Sequence, residues 1–267
     1  MRNSAYPLCI TTMVLAAFGG FLRWLQNQVS FELETGLAVR GSIWPYATAI
    51  WIALAAAVLL VSARRAVNRD RVRRPETFAQ AFYPVGGYSG VFVILCGLVM
   101  AVGGVLLFLT VPFSEPQRRL YQIVGVIGAV YGVAFPFQLQ DHAERPHTLT
   151  VVLSGLPIAL FAFWIVVSYK SNIVNPTITA YAVEILTLCA MCVAFYQTAG
   201  FAFDRPKPIK SIFWALFAAF LGVMSVADRH YLGVHIMLLG ASLMLMLEAW
   251  FIGSNVKPMS DLSETQK

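Results

Sequence analysis

One carboxylate stands inside an otherwise apolar stretch of the chain. Glu184 follows Thr177 by seven residues, about 10 Å along a helix rising 1.5 Å per residue. If that stretch crosses a bilayer, an ionisable side chain there costs about 2.5 to 3.5 kcal/mol on insertion scales, so it calls for a partner or a purpose. The purpose would be contact with a cation, a proton or a substrate from a water-filled cavity. The plainer alternative is a buried carboxyl hydrogen-bonded to a neighbouring helix. His235, one turn after Tyr231 in another apolar stretch, offers a neutral imidazole for proton relay or ligand contact, or else a satisfied group near a helix end. Glu248, beside Trp250 near the far end of that stretch, is assigned a structural role, within reach of the interface or of an arginine in the basic connector.

The segment 23–42 carries the other concentration of usable groups: Arg23, Trp24, Gln26, Asn27, Gln28, Phe31, Glu32, Glu34 and Arg40, with glycines at 36 and 41. Such a mixture fits an ordered cap better than a flexible linker, which would be polar and featureless. Thr35-Gly36 and Arg40-Gly41 are suited to turns requiring positive φ. Arg23 is expected to pair with Glu32 or Glu34. If Asp228, Arg229 and His230 lie on the same side, the assembled cluster would bind a small anionic or zwitterionic ligand. Alternatively, its salt bridges would merely close the end of the bundle.

Other groupings fail on context. Cys189 and Cys192 have redox or zinc spacing but no further ligands nearby in sequence, so they are read as packing. His142 and His147 with Asp141 and Glu144 occupy a short connector containing Pro146, which fits a solvated polar turn. No HExxH, GxSxG, Walker or GxGxxG pattern stands in its required context. No span contains a lysine for a retinal-type Schiff base. No catalytic residue, metal ligand or cofactor is assigned.

The elements that must position these groups follow from composition. Of 267 residues, 58% are hydrophobic and 12% charged, against about 25% charged in an ordinary soluble domain, and the mean hydropathy is +0.71. The apolar residues come in blocks long enough to cross a bilayer, where only helices of this length satisfy their own backbone. Eight spans are expected, over about 5–22, 43–63, 90–111, 120–139, 149–169, 178–203, 211–227 and 231–252, forming an all-α polytopic bundle. Only Asp228, Arg229 and His230 separate the last two, which therefore form a tight antiparallel hairpin.

Six arginines lie in the connector after the second span, and Arg205, Lys207 and Lys210 follow the sixth. Cytoplasmic loops retain such residues. Alternation then puts both termini in the cytoplasm and divides the nineteen lysines and arginines thirteen inside to six outside. The net charge of +6 is thus a topogenic signal and a complement to anionic inner-leaflet lipid, and no nucleic-acid partner is inferred. The first block is longer than a signal-peptide core, and Arg23-Trp24 replaces a small-residue cleavage site, so it is read as a span. All four cysteines fall within spans, so no extracellular disulfide framework is indicated.

Small residues supply helix contacts: Gly97, Gly103 and Gly104 in the third span and Gly125, Gly128 and Gly132 in the fourth. Gly128 and Gly132 are read first as an internal contact, with homodimerisation the alternative. Pro136 and Pro157 are expected to bend the fourth and fifth spans. Phe78, Phe82 and Tyr83 before Pro84 suit a short helix anchored on the inner leaflet. No internal repeat joins the two halves.

The residues Arg23-Trp24-Leu25-Gln26, Phe31-Glu32 and Thr35-Gly36-Leu37 form a pattern that resembles a signature of multi-pass bacterial membrane proteins without an assigned activity. Ala199-Gly200-Phe201-Ala202-Phe203, Arg205-Pro206 and Ala227-Asp228 extend the resemblance to about a fifth of the chain. It implies the bacterial cytoplasmic membrane and no activity, cofactor or catalytic residue. The sequence reading is one integral membrane domain over 1–267, with a basic cytoplasmic loop at 64–89 and a structured outer loop at 23–42. Arg23, Glu32, Glu34, Asp228, Arg229 and His230 would frame an outward entrance to a small-molecule or ion site, with His235 and Glu184 below. A structural or accessory subunit in a homo- or hetero-oligomer is the alternative, and a membrane-embedded enzyme the third.

Overall fold

In the computed structural model of the chain, residues 5–32, 37–39, 41–67, 72–84, 86–141, 146–173 and 177–258 are described. Helices α1 (Tyr6–Val29) and α2 (Trp44–Val67) are followed by the one-turn α3 (Phe78–Ala81). Then come α4 (Ser89–Thr110), α5 (Arg118–Leu139), α6 (Thr148–Asn172), α7 (Ile178–Ala199), α8 (Pro208–Met224) and α9 (Leu232–Ser254). Among the described residues, eight of these helices are long and apolar enough to cross a membrane, and the chain is a multi-pass membrane protein. Pro7 and Pro208 lie in the first turns of α1 and α8, where a missing N–H costs nothing.

Helix α1 packs on α2, each helix from α4 to α9 packs on the next, and α4 on α9, α1 on α8 and α2 on α8 close the bundle. The last two spans therefore form its centre. Phe220, Leu221, Met224, Met237, Ala241 and Leu245 have no more than 0% exposure there. The peripheral helices instead turn Ile10, Val14, Ile50, Leu54, Val91 and Leu98 outward, the distribution expected where lipid replaces water.

Close backbone approach joins α4 to α5. A Cβ added at Gly97 would stand 2.5 Å from the Gly132 carbonyl oxygen, and one at Gly132 would stand 2.5 Å from the Ala101 nitrogen. Gly104 and Gly125 face each other in the same way, while Gly128 makes room for Met237 of α9. Both glycines of the 128–132 pair are thus covered by helices of their own chain. Helices α5 and α6 continue through Pro136 and Pro157.

Two expectations change. The first helix continues to Val29, seven residues past the expected end of the span, so Arg23 is helical and faces the bundle. Beyond it, Phe31 and Ala38 form an antiparallel bridge, and Gly41 has a φ of +80°. Second, Phe78, Ala81 and Phe82 are buried in the protein and not laid on a leaflet. Phe82 meets Phe201 edge-on, and Asn255 Nδ2 donates to the carbonyls of Ala81 and Tyr83 at 3.0 and 2.9 Å. Val72–Arg73 also pairs with Lys257–Pro258. The basic connector, the end of α9 and, through Ala5 N–H to Ser254 Oγ, the start of α1 therefore meet at one end of the bundle.

Candidate functional site

The opposite end is organised around the connector from α8 to α9. A single 3₁₀ turn, Ser225–Ala227, leads to extended Asp228. Apolar helices fix the ends of this connector, so its few polar groups must find partners locally. Arg23 reaches it from α1 with no exposed surface. Its Nε donates to Asp228 Oδ1 at 2.5 Å, while Nη1 and Nη2 donate to the carbonyls of Thr179 and Ala180 at 3.1 and 2.6 Å. One guanidinium thus ties α1, the start of α7 and the connector together. Asn27, one turn further along α1, donates to Asp228 Oδ1 and to the Ala227 carbonyl, both at 3.0 Å. His235 Nε2 lies 3.0 Å from the Asp228 carbonyl oxygen. Because a carbonyl can only accept, that nitrogen carries the proton.

A cavity of about 790 Å³ opens beside this hub. Glu184 lines it from α7 and is 6% exposed. Ser168 Oγ, from α6, donates to Glu184 Oε1 at 2.6 Å, while His230 Nδ1 stands 4.0 Å from Oε2. On the far wall Tyr231 donates to Glu115 Oε2 at 2.6 Å, and the Tyr121 and Tyr231 rings meet edge-on at 5.9 Å. Burial first, and then the neighbouring Glu115 carboxylate, hold the Tyr231 phenol well above its ordinary range. Two buried atoms of the lining residues, Asp228 Oδ2 and His230 Nε2, have no hydrogen-bond partner among the described residues.

Of the residues expected from sequence, Glu32, Asp228, Arg229, His230 and Glu184 line this cavity. Arg23 and His235 bind Asp228 through its carboxylate and its backbone carbonyl, respectively. Glu34 lies outside the described residues. Arg23 pairs with Asp228 in place of Glu32 or Glu34, because the longer α1 turns its side chain into the bundle while Glu32, beyond the helix end, is exposed.

Glu115, Ser168, Tyr121 and Tyr181 are additions. Sequence offered a signal for two of them. Alternation puts the connector holding Glu115 on the side of Asp228, and Ser168 and Glu184 lie at similar depths on either side of the short α6–α7 connector.

The remaining polar groups expected from sequence lie apart from this cavity. Asp141 Oδ2 accepts the His147 backbone N–H at 2.7 Å and the Thr150 hydroxyl at 2.5 Å, while Oδ1 lies 2.9 Å from His147 Nδ1. It thereby satisfies the start of α6; His142 and Glu144 lie outside the described residues. No three His, Cys, Asp or Glu side chains converge as metal ligands among the described residues. Cys192 Sγ meets the Ile158 carbonyl at 3.7 Å, and Cys189 is exposed on the apolar surface. Glu248 is 1% exposed, which keeps it from the interface, and among the described residues its Oε2 has no partner, arginine included. Its helix is central, so nearly every face of it meets another helix. The chain matches no family model, no curated protein and no solved structure.

Proposed function

We propose that this multi-pass membrane protein binds a small solute or ion in the cavity beside Asp228 and that its role is related to transport. The observation that carries the reading is Glu184, a buried carboxylate on the wall of a cavity of about 790 Å³. That volume lies within the range of small-molecule sites, about 300 to 1,000 Å³. A polar cavity of this size, entered between helix ends, gives a solute access to an ionisable group inside the bundle. In this reading Asp228, Arg229, His230 and Glu32 form the entrance, Arg23 and His235 hold its shape, and Glu184 is the inner contact. The entrance faces outward from a bacterial cytoplasmic membrane, with the arginine-rich connector inside against anionic lipid.

The test is thermal unfolding of purified protein in detergent against a panel of metabolites, lipids and inorganic ions. A ligand at about one hundred times its Kd stabilises by roughly 2.7 kcal/mol. Wild type should respond to at least one class of compound, and a folded Glu184→Gln variant should not. If no compound shifts the transition, the reading fails, and a scaffold whose polar groups only join helices takes its place.

A further inference from the structure

Resting on that reading of the cavity, the charge balance of its wall narrows the ligand class. Four lining residues are acidic, Glu32, Glu115, Glu184 and Asp228, against one arginine, Arg229, which is exposed. Asp228 Oδ1 is held by Arg23 and Asn27, and Glu115 accepts a hydrogen bond from Tyr231. Glu184 differs. It is as buried as Asp228, yet the nearest basic side-chain atom given for it is His230 Nδ1 at 4.0 Å, beyond hydrogen-bond length. Among the described residues its one close polar contact is the neutral hydroxyl of Ser168. A buried carboxylate that lacks a matched cation carries a large desolvation cost, and a positive ligand would relieve it.

Two further features say what kind of cation. The cavity far exceeds what a bare metal ion fills, and no set of three metal-ligating side chains converges among the described residues. Aromatic rings of Phe31, Tyr121, Tyr181 and Tyr231 line it, and ring faces attract ammonium groups. The unpartnered Asp228 Oδ2 adds an acceptor within the same wall.

We infer that the cavity takes a small organic ammonium ion, with Glu184 as its counter-ion and the tyrosines as its apolar walls. An anionic ligand, which Arg23 and Arg229 would have suggested, is disfavoured because each nitrogen of Arg23 already donates within the protein and exposed Arg229 is outnumbered by four acidic residues in the lining.

Phenethylamine, choline, 2-phenylethanol and phenylacetate are the probes, measured by thermal shift and by titration calorimetry on the purified full chain. The amines should raise Tm and bind at least tenfold tighter than the isosteric alcohol, and phenylacetate should bind no better than the alcohol. Glu184→Gln should lower amine affinity at least tenfold, with Glu184→Asp retaining most of it. If Glu184→Gln does not fold, the wild-type ranking of amine, alcohol and acid decides the matter alone. Binding of phenylacetate or the alcohol without the amines overturns the cation assignment while leaving a binding cavity in place. No shift with any of the four also overturns the assignment, and the broader panel then decides whether the cavity binds anything.

Discussion

Arg23 and Asp228, separated by 205 residues in the chain, form a buried ion pair with Nε and Oδ1 2.5 Å apart. It fastens the first span to the connector between the last two, and through the Thr179 and Ala180 carbonyls it also fastens the start of α7. The cavity wall therefore depends on contacts among three segments that are far apart in sequence.

Removing one member of this pair leaves the other charged and buried, which costs about 3 to 5 kcal/mol, whereas removing both removes the penalty as well. Arg23→Met and Asp228→Asn should each lower stability by that amount. The double variant should fall short of their sum by at least about 2 kcal/mol. Thermal or denaturant unfolding of all four proteins in one detergent measures this; strict additivity would show that the pair contributes no coupling.

The geometry of this hub also explains what sequence could and could not convey. Eight apolar blocks announce eight spans because lipid allows little else, and the short connector at 228–230 announces its own hairpin. Side-chain pairing at helix ends depends on where each helix stops. An error of seven residues at the end of α1 sends Arg23 to Glu32 or Glu34 instead of Asp228. Glu184 was legible because a lone carboxylate stands out against an apolar run. Ser168 left only its matching depth across the α6–α7 connector, since a serine in a span is unremarkable until its partner is known. Phe78 and Phe82 read as membrane anchors because hydropathy cannot tell lipid from a protein interior.

Alkaline pH should weaken the far wall of the cavity. Burial and the adjacent Glu115 keep the Tyr231 phenol protonated in the folded protein, while an unfolded tyrosine ionises near 10.0. Above that pH the unfolded chain loses a proton that the folded one keeps, so the contribution of Tyr231 is complete below pH 10 and drains away as pH rises. Unfolding midpoints followed from pH 8 to 11 should decline more steeply for wild type than for Tyr231→Phe. Parallel profiles would mean that this phenol is not linked to folding.

Glycine spacing makes a separate claim about packing. A side chain at Gly104 would drive into the backbone of Gly125 and Ala129, and one at Gly132 into Ala101. Gly90, also on α4, and Gly155, on α6, have nothing within 4 Å of an added Cβ. Gly104→Val and Gly132→Val should each destabilise by about 1 to 3 kcal/mol, the usual range for overpacking. Gly155→Ala and Gly90→Ala should change stability by less than about 0.5 kcal/mol. Equal losses at all four positions would remove the distinction between helix-facing and open glycines.

Orientation is the last consequence, and it links the site to its compartment. The cavity and the arginine-rich connector occupy opposite ends of the bundle, so fixing one fixes the other. With basic loops retained in the cytoplasm, a cysteine introduced at Arg229, which is exposed at the cavity end, should react in intact cells with a thiol reagent that cannot cross membranes. A cysteine at Glu76, beside the basic connector, should react only after lysis. The native cysteines at 9, 96, 189 and 192 should be replaced by alanine or serine beforehand, so that the signal reports the new position. Labelling of position 76 but not 229 in intact cells would invert the protein. The cavity would then open to the cytoplasm, and any ligand would have to be supplied from within the cell.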